Sequence, residues 1–254
     1  MAEHLAGSVE EFVGLMNKRA KELGMNETNF VNCNGLDAEG HKISAYDIAL
    51  MSRELLKHED IFAFTTIWMD SLRNGKFTLS NTNKLIRFYK GATGLKTGST
   101  SVAKNCISAT AKRDGMHLIA VVMGAPTSKE RFKDASDLLN YGFGAYGVKT
   151  VIKKGDVLAT QKVNKGTKNE AKLIADKDYT YLYKKSEKQN VLPEISAELS
   201  VDAPVEKAKK GGKVKIVANG KVMDEVDLVY NDDIDKKKVS GVYLSILSNW
   251  LKRG

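Results

Sequence analysis

Lys96, Thr97 and Gly98 stand in a row, followed by Ser99 and Thr100. On a strand, such residues offer an ammonium, hydroxyls and open backbone N–H groups. That is the chemistry for gripping an anion or a peptide carbonyl. Gly94 and Gly98 flank the lysine and threonine, and glycine weakens a strand unless something must approach its backbone closely. Three residues are weak evidence in a chain with 40 Lys and Arg, so a plain turn between strands is the alternative. A catalytic wall would need a nucleophile. Ser101-Val102-Ala103-Lys104 has the S-x-x-K spacing of a serine with a lysine base. Such a pair works from one face at the start of a helix, whereas this one directly follows a strand-like stretch. Ser101 is therefore not expected to be a nucleophile.

The elements that must position these residues follow from periodicity. "SVEEFVGLMNKRAKELG" places Phe12, Leu15, Met16, Ala20 and Leu23 on one helical face, with Ser8 and Glu11 as a capping box and Gly24 as the stop. "SAYDIALMSRELLKH" repeats the design with Ser44 as cap and Ile48, Met51 and Leu55 inward. Asp47 reads as a helix-start carboxylate rather than a catalytic one. "NFVNCNGLDAEGHKI" between them is an ordered loop rich in Asn and Gly. After Asn81-Thr82-Asn83 come three strand-like pieces, with a turn at Arg113-Asp114-Gly115. "MHLIAVVMGA" is apolar throughout and reads as a central strand. "SKERFKDASDLLNYGF" is a helix capped by Ser128, with Phe132, Ala135, Leu138 and Leu139 inward. The order predicts an α/β (α+β) unit, an antiparallel sheet with helices, over 1–145.

From about Tyr146 the pattern changes to short alternating runs, with turns at Lys154-Gly155-Asp156 and Asn219-Gly220. A small all-β domain is expected over 146–238, with no chemistry of its own. Residues 239–254 place Val242, Tyr243, Ile246, Trp250 and Leu251 on one face and end on Lys252 and Arg253. That is an amphipathic helix, either packed on its domain or lying at an anionic membrane surface.

The net charge is +9, and residues 147–254 carry 22 Lys/Arg against 15 Asp/Glu, leaving 18 against 16 in residues 1–146. A basic surface attracts acidic partners, but the lysine runs lack interleaved aromatics, so no nucleic acid is expected. Cys33 and Cys106 fit no metal spacing and read as buried, inert thiols. The four histidines are scattered, and neither metal nor cofactor is expected. The first residues lack the basic and apolar regions of a signal peptide.

The set S-x-x-K, S-D-N and K-T-G marks penicillin-binding proteins and related β-lactamases, and Lys96-Thr97-Gly98 matches its third member. "GLKTGSTSVAKNCISATAKRDGMHLIAVVMGAPTSKERFKDASDLLNYGF" resembles the serine-type D-alanyl-D-alanine carboxypeptidases, the low-molecular-mass penicillin-binding proteins. "MNKRAKELGMNETNFVNCNGLD", "SAYDIALMSRELL" and "LSNTNKL" resemble the same family in the same order. The β-rich region and amphipathic end resemble its C-terminal domain and anchor.

The resemblance implies a penicillin-binding/β-lactamase-like fold, N-terminally truncated, since the family's S-x-x-K and S-x-N motifs lie upstream of where this chain begins. It implies an acyl-enzyme hydrolase acting on peptidoglycan stem peptides ending in D-Ala-D-Ala, open to β-lactams, extracytoplasmic and membrane-associated in the intact parent. Lys96 and Thr97 would be the catalytic members of the cleft. Gly98, Ser99, Thr100 and Arg131 would bind substrate, with the Ser99 N–H in the oxyanion hole and Thr100 and Arg131 on the terminal carboxylate. Asn81, Thr82 and Asn83 would brace the strand. The chain by itself is expected to be inactive. The alternative is a non-catalytic remnant that binds cell-wall peptide or a membrane surface.

Overall fold

The structure, a computed structural model, describes residues 1–187 and 191–238. The helix expected at 239–254 lies outside the described residues. The chain divides into two compact units, Met1–Tyr146 and Gly147–Gly254.

Helices of the first unit begin where small polar residues satisfy open N–H groups. A short α1 (Ala2–Ala6) precedes α2 (Val9–Glu22), where the Ser8 hydroxyl accepts from the Glu11 N–H at 3.1 Å. Gly24, with φ of 77°, follows its end. α3 (Ala45–Leu55) starts at Ser44 in the same way. A 3₁₀ turn (Glu59–Ile61) leads to α4 (Phe62–Thr65), then to a hairpin of β1 (Met69–Leu72) and β2 (Phe77–Ser80). Every residue of that hairpin is exposed. Its strands are too short, and too little buried, to write a period into the sequence, and none was expected there.

After α5 (Leu85–Phe88), the chain forms an antiparallel sheet of β3 (Ala92–Thr100), β4 (Lys104–Arg113) and β5 (Met116–Ala125), in that order. Asp114 and Gly115, at φ of 49° and 78°, make the tight β4–β5 turn. α6 (Ser128–Ala145) covers one face, packing Ala135 and Leu139 with Ile107, Ala109 and Ala120. α3 lies on the other face, where buried Ser52 and Ser108 share a hydrogen bond of 2.7 Å.

Several expectations need correction. Met116–Ala125 is not central: β4 is, and β5 forms an edge of the described sheet. Its unbroken apolar run reflects cover on both faces, from α3 and α6, rather than pairing on both edges. Thr127, not Ser128, caps α6, closing a capping box with Glu130. Leu138 is 49% exposed, because the buried stripe runs through Ala135 and Leu139. Leu15, Met51 and Leu55 are also exposed. Leu15 and Met51 line an apolar groove with Phe12, Met16 and Phe30 that no described element fills. Neither thiol is buried: Cys33 sits exposed in the polar loop and Cys106 is half-buried at a bulge in β4.

The second unit is all β. Its strands are β6 (Tyr146–Ile152, beginning at the junction), β7 (Val157–Asn164), β8 (Glu170–Ala175), β9 (Tyr179–Lys184), β10 (Val191–Ala197), β11 (Ser200–Asp202), β12 (Lys210–Ala218) and β13 (Lys221–Tyr230). Six of them form a sheet in the order β10-β12-β13-β8-β7-β11, and β6 pairs with β9. Leu173, Val214, Ile216, Val226 and Leu228 are almost wholly buried in its core. One polar group shares that core: Gln161 accepts from the Tyr230 hydroxyl at 2.8 Å and donates to the carbonyls of Glu198 and Gly211. Its buried amide is thereby satisfied. Asn219 and Gly220, both at positive φ, turn β12 into β13.

Candidate active site

Strand pairing decides where the Lys-Thr-Gly side chains point. Paired residues of an antiparallel ladder share a face, and successive residues alternate. Lys96 pairs with Ser108, Thr97 with Ile107, Gly98 with Cys106 and Thr100 with Lys104. Lys96, Gly98 and Thr100 therefore belong to the α3 face. Thr97 and Ser99 belong to the α6 face. The expected side chains are not gathered on one side of the strand, and what unites them is its backbone.

Lys96 is exposed, and its ammonium donates to the Thr97 carbonyl. Its stem lines a cleft of about 320 Å³ with Ser52, Cys106 and Ser108. Thr97 is buried, and its hydroxyl is bonded to that of Thr82 at 2.7 Å. The buried Asn83 amide donates to the Gly94 carbonyl at 3.0 Å, and the Asn81 side chain accepts the Asn83 N–H. The Asn81–Asn83 segment is thus pinned to β3. Gly91 and Gly98 contrast in what they demand. A Cβ on Gly91 would stand 2.5 Å from the Lys112 carbonyl, so packing excludes a side chain there. A Cβ on Gly98 would meet nothing within 4 Å. Gly98 faces open space, and the fold itself does not require glycine at that position.

Arg131 approaches from α6. Its guanidinium donates to the carbonyls of Gly98 and Cys106, each at 3.3 Å, and to the Ser128 hydroxyl at 3.1 Å. The residue is 6% exposed and stacks at 4.6 Å on Phe132. The Nε has no partner, and no carboxylate pairs with the guanidinium among the described residues. Burial pushes the guanidinium pKa down.

Thr100 is engaged elsewhere. Its hydroxyl donates to Asp37 at 2.7 Å and accepts from the Ala103 N–H at 2.9 Å. The same carboxylate accepts from the Ser101 hydroxyl and the Val102 N–H, each at 3.3 Å. The hydrogen bond from Thr100 leads the causes that hold the Asp37 carboxyl below its ordinary range. Ser99 donates to the Lys104 carbonyl and the Asn105 side chain. Ser101 lies in the β3–β4 turn, and Lys104 opens β4 at φ of 56°. The S-x-x-K spacing here is no helical pair.

The first 127 residues match the family model described as D-alanyl-D-alanine carboxypeptidase. The chain belongs to that family. Residues 146–236 of this carboxypeptidase-family chain match the model of the penicillin-binding protein 5 C-terminal domain. It is 41% identical to D-alanyl-D-alanine carboxypeptidase DacF of Bacillus subtilis, over 99% of the chain and 66% of the relative. It is 32% identical to DacC of Escherichia coli, over 93% of the chain and 59% of that protein. The chain thus spans less than two thirds of the length of these curated relatives. Among solved structures, penicillin-binding protein 5 of Haemophilus influenzae is 30% identical, with a TM-score of 0.67 over 92% of this chain and 69% of that one. Penicillin-binding protein D2 of Listeria monocytogenes, solved in a cefotaxime-bound form, is 36% identical, with a TM-score of 0.51 over 56% of this chain and 58% of that one.

One residue of this site is not marked by any motif, and a second carboxylate outside it does more than its position suggests. Asp37 falls within the loop expected between the first two helices. Its signal was local: Asn32 and Asn34 accept from the N–H groups of Gly35 and Leu36, which winds the loop tightly just before Asp37. Asp47 stands in the first turn of α3, as its spacing from Ser44 predicts. It is 2% exposed and accepts from the Glu27 N–H and the Thr28 hydroxyl, so it ties the loop after α2 to α3.

Proposed function

We propose that residues 1–146 form the Lys-Thr-Gly wall of a serine-type D-Ala-D-Ala carboxypeptidase site in peptidoglycan metabolism. The observation that carries this reading is Arg131, a buried guanidinium held behind Gly98 with no carboxylate partner among the described residues. A buried cation without an anion is costly unless a ligand completes it, and a guanidinium fits a carboxylate as a fork. In this reading the peptide lies along the open backbone at Gly98, Lys96 holds the proton network of the nucleophile, and the Ser99 N–H faces the oxyanion. The nucleophilic serine and its lysine base come from polypeptide other than these 254 residues. A β-lactam would use the same wall, since its carboxylate and carbonyl present the same two demands.

Titration of isotope-labelled chain with N-acetyl-D-alanyl-D-alanine tests the reading. The expected result is a shift of the Gly98, Ser99 and Thr100 amide signals that the L,L dipeptide does not produce. Equal shifts from both dipeptides, or none from either, would count against it.

Attachment to an anionic membrane through 239–254 belongs to the same proposal. No helix among the described residues is long and apolar enough to cross a membrane. The support is the sequence alone, an apolar face carrying Trp250 and a basic end at Lys252 and Arg253. Each basic residue near such a surface contributes about 1 kcal/mol. Vesicles containing phosphatidylserine should sediment the full chain several-fold better than a chain ending at Lys238. Equal sedimentation would leave the segment without a membrane role.

A further inference from the structure

The acceptor in the β3–β4 turn is itself a carboxylate. Three donors converge on Asp37: the hydroxyls of Thr100 and Ser101 and the N–H of Val102. We propose that Asp37 is a specificity-determining residue that competes with the peptide's terminal carboxylate for the donors of this turn. The inference rests on the reading that Thr100 belongs to the carboxylate end of the site.

The argument is one of proton supply and charge. A threonine hydroxyl has a single proton, and Thr100 gives it to Asp37 at 2.7 Å. One of its lone pairs takes the Ala103 N–H. An incoming carboxylate has only acceptors to offer, so Thr100 can serve it only by releasing Asp37. Until that release, the Asp37 charge stands beside the ligand's charge. Arg131 attracts the ligand's carboxylate but does not free Thr100, whose single proton stays with Asp37. Asp37 therefore selects against weakly held carboxylates. A peptide with further contacts along β3 can displace it, and a small free acid cannot. An uncharged C-terminal amide feels the charge far less.

The test uses the full chain carrying Asp37→Asn, whose side-chain oxygen still accepts from Thr100 while the charge is gone. Amide spectra follow titrations with N-acetyl-D-alanyl-D-alanine and with its C-terminal amide. The expected result is about tenfold tighter binding of the acid by D37N than by the parent chain, with the amide changed less than twofold. Asp37→Ala, which frees the Thr100 proton outright, should bind the acid at least as well as D37N. Equal affinity for the acid in parent and D37N overturns the competition while leaving the carboxypeptidase-site reading intact. Weaker acid binding in both variants would make Asp37 a mere clamp of the turn and also overturns the proposal. If no variant or ligand shifts the Gly98–Thr100 amides, the site reading fails, and the inference falls with it. Unchanged dispersion of the remaining amides reports that each variant is folded.

Discussion

Labelled penicillin incubated with residues 1–254 forms no covalent adduct, and Ser101→Ala changes nothing. This is the largest effect expected for the protein, because it concerns the bond-forming group itself. Loss of the nucleophile from a serine hydrolase costs about 10⁶-fold in kcat. The one S-x-x-K in the chain, Ser101 to Lys104, lies across a turn rather than along a helix. Its serine hydroxyl points to Asp37, and its lysine opens a strand at positive φ. A serine so placed has no base a turn above it to take its proton. Mass spectrometry of the intact chain decides the matter. An adduct that disappears in S101A would place the nucleophile in the turn and would overturn the account of the wall given above.

Arg131→Ala should weaken binding of N-acetyl-D-alanyl-D-alanine far more than it weakens the fold. Truncating a buried charge that meets an opposite charge costs about 2–5 kcal/mol of binding, or thirtyfold and more. The fold loses three hydrogen bonds and a ring contact. It also sheds the cost of a buried guanidinium without a carboxylate partner among the described residues, and that partly offsets the loss. Water can reach the Gly98 carbonyl, because Gly98 is exposed. A net destabilisation of about 1–2 kcal/mol follows. Urea melts and the dipeptide titration measure the two effects separately. Arg131→Lys keeps the charge but not the fork, and should recover less than half of the lost affinity. A large fall in stability with unchanged dipeptide affinity would make Arg131 a strand clamp and nothing more.

Much of this was legible in residue order. Ser8, Ser44, Gly24 and the Asp114-Gly115 turn announce themselves because their chemistry is local: one side chain serves one neighbouring N–H, or one backbone angle favours one residue. The β-rich second half was legible for the same reason, through Asn219-Gly220 and alternation. The cap of α6 was misplaced by one residue, since Thr127 and Ser128 are both capping types; the other errors were non-local. An apolar run such as Met116–Ala125 reports cover on both faces, but pairing at the borders is made by backbone groups and leaves no mark in residue type. Leu138 and Leu15 fit a helical period whose buried face is settled only by which elements lie nearby. At the site, the residue types of Lys96, Thr97 and Arg131 pointed to anion chemistry, and the alternation that sends Lys96 and Thr97 to opposite faces of β3 follows from strand period alone. The loop around Asp37 was legible, but its role was not, because its partners lie more than sixty residues away.

The position of β5 has a practical consequence for handling the protein. From Leu118 to Ala125 the strand carries no charge and no proline, the two devices by which sheet borders usually repel each other. Its outer border is unpaired among the described residues, so two molecules can join there by simple strand addition. Residues 1–146 have a net charge of only +2 with which to resist this. Colloidal repulsion comes mainly from the +7 of residues 147–254, and salt screens it within about 8 Å at physiological ionic strength. Solubility should therefore be best in dilute buffer. Trimming the chain back to the Lys-Thr-Gly unit would remove the charge that keeps these borders apart.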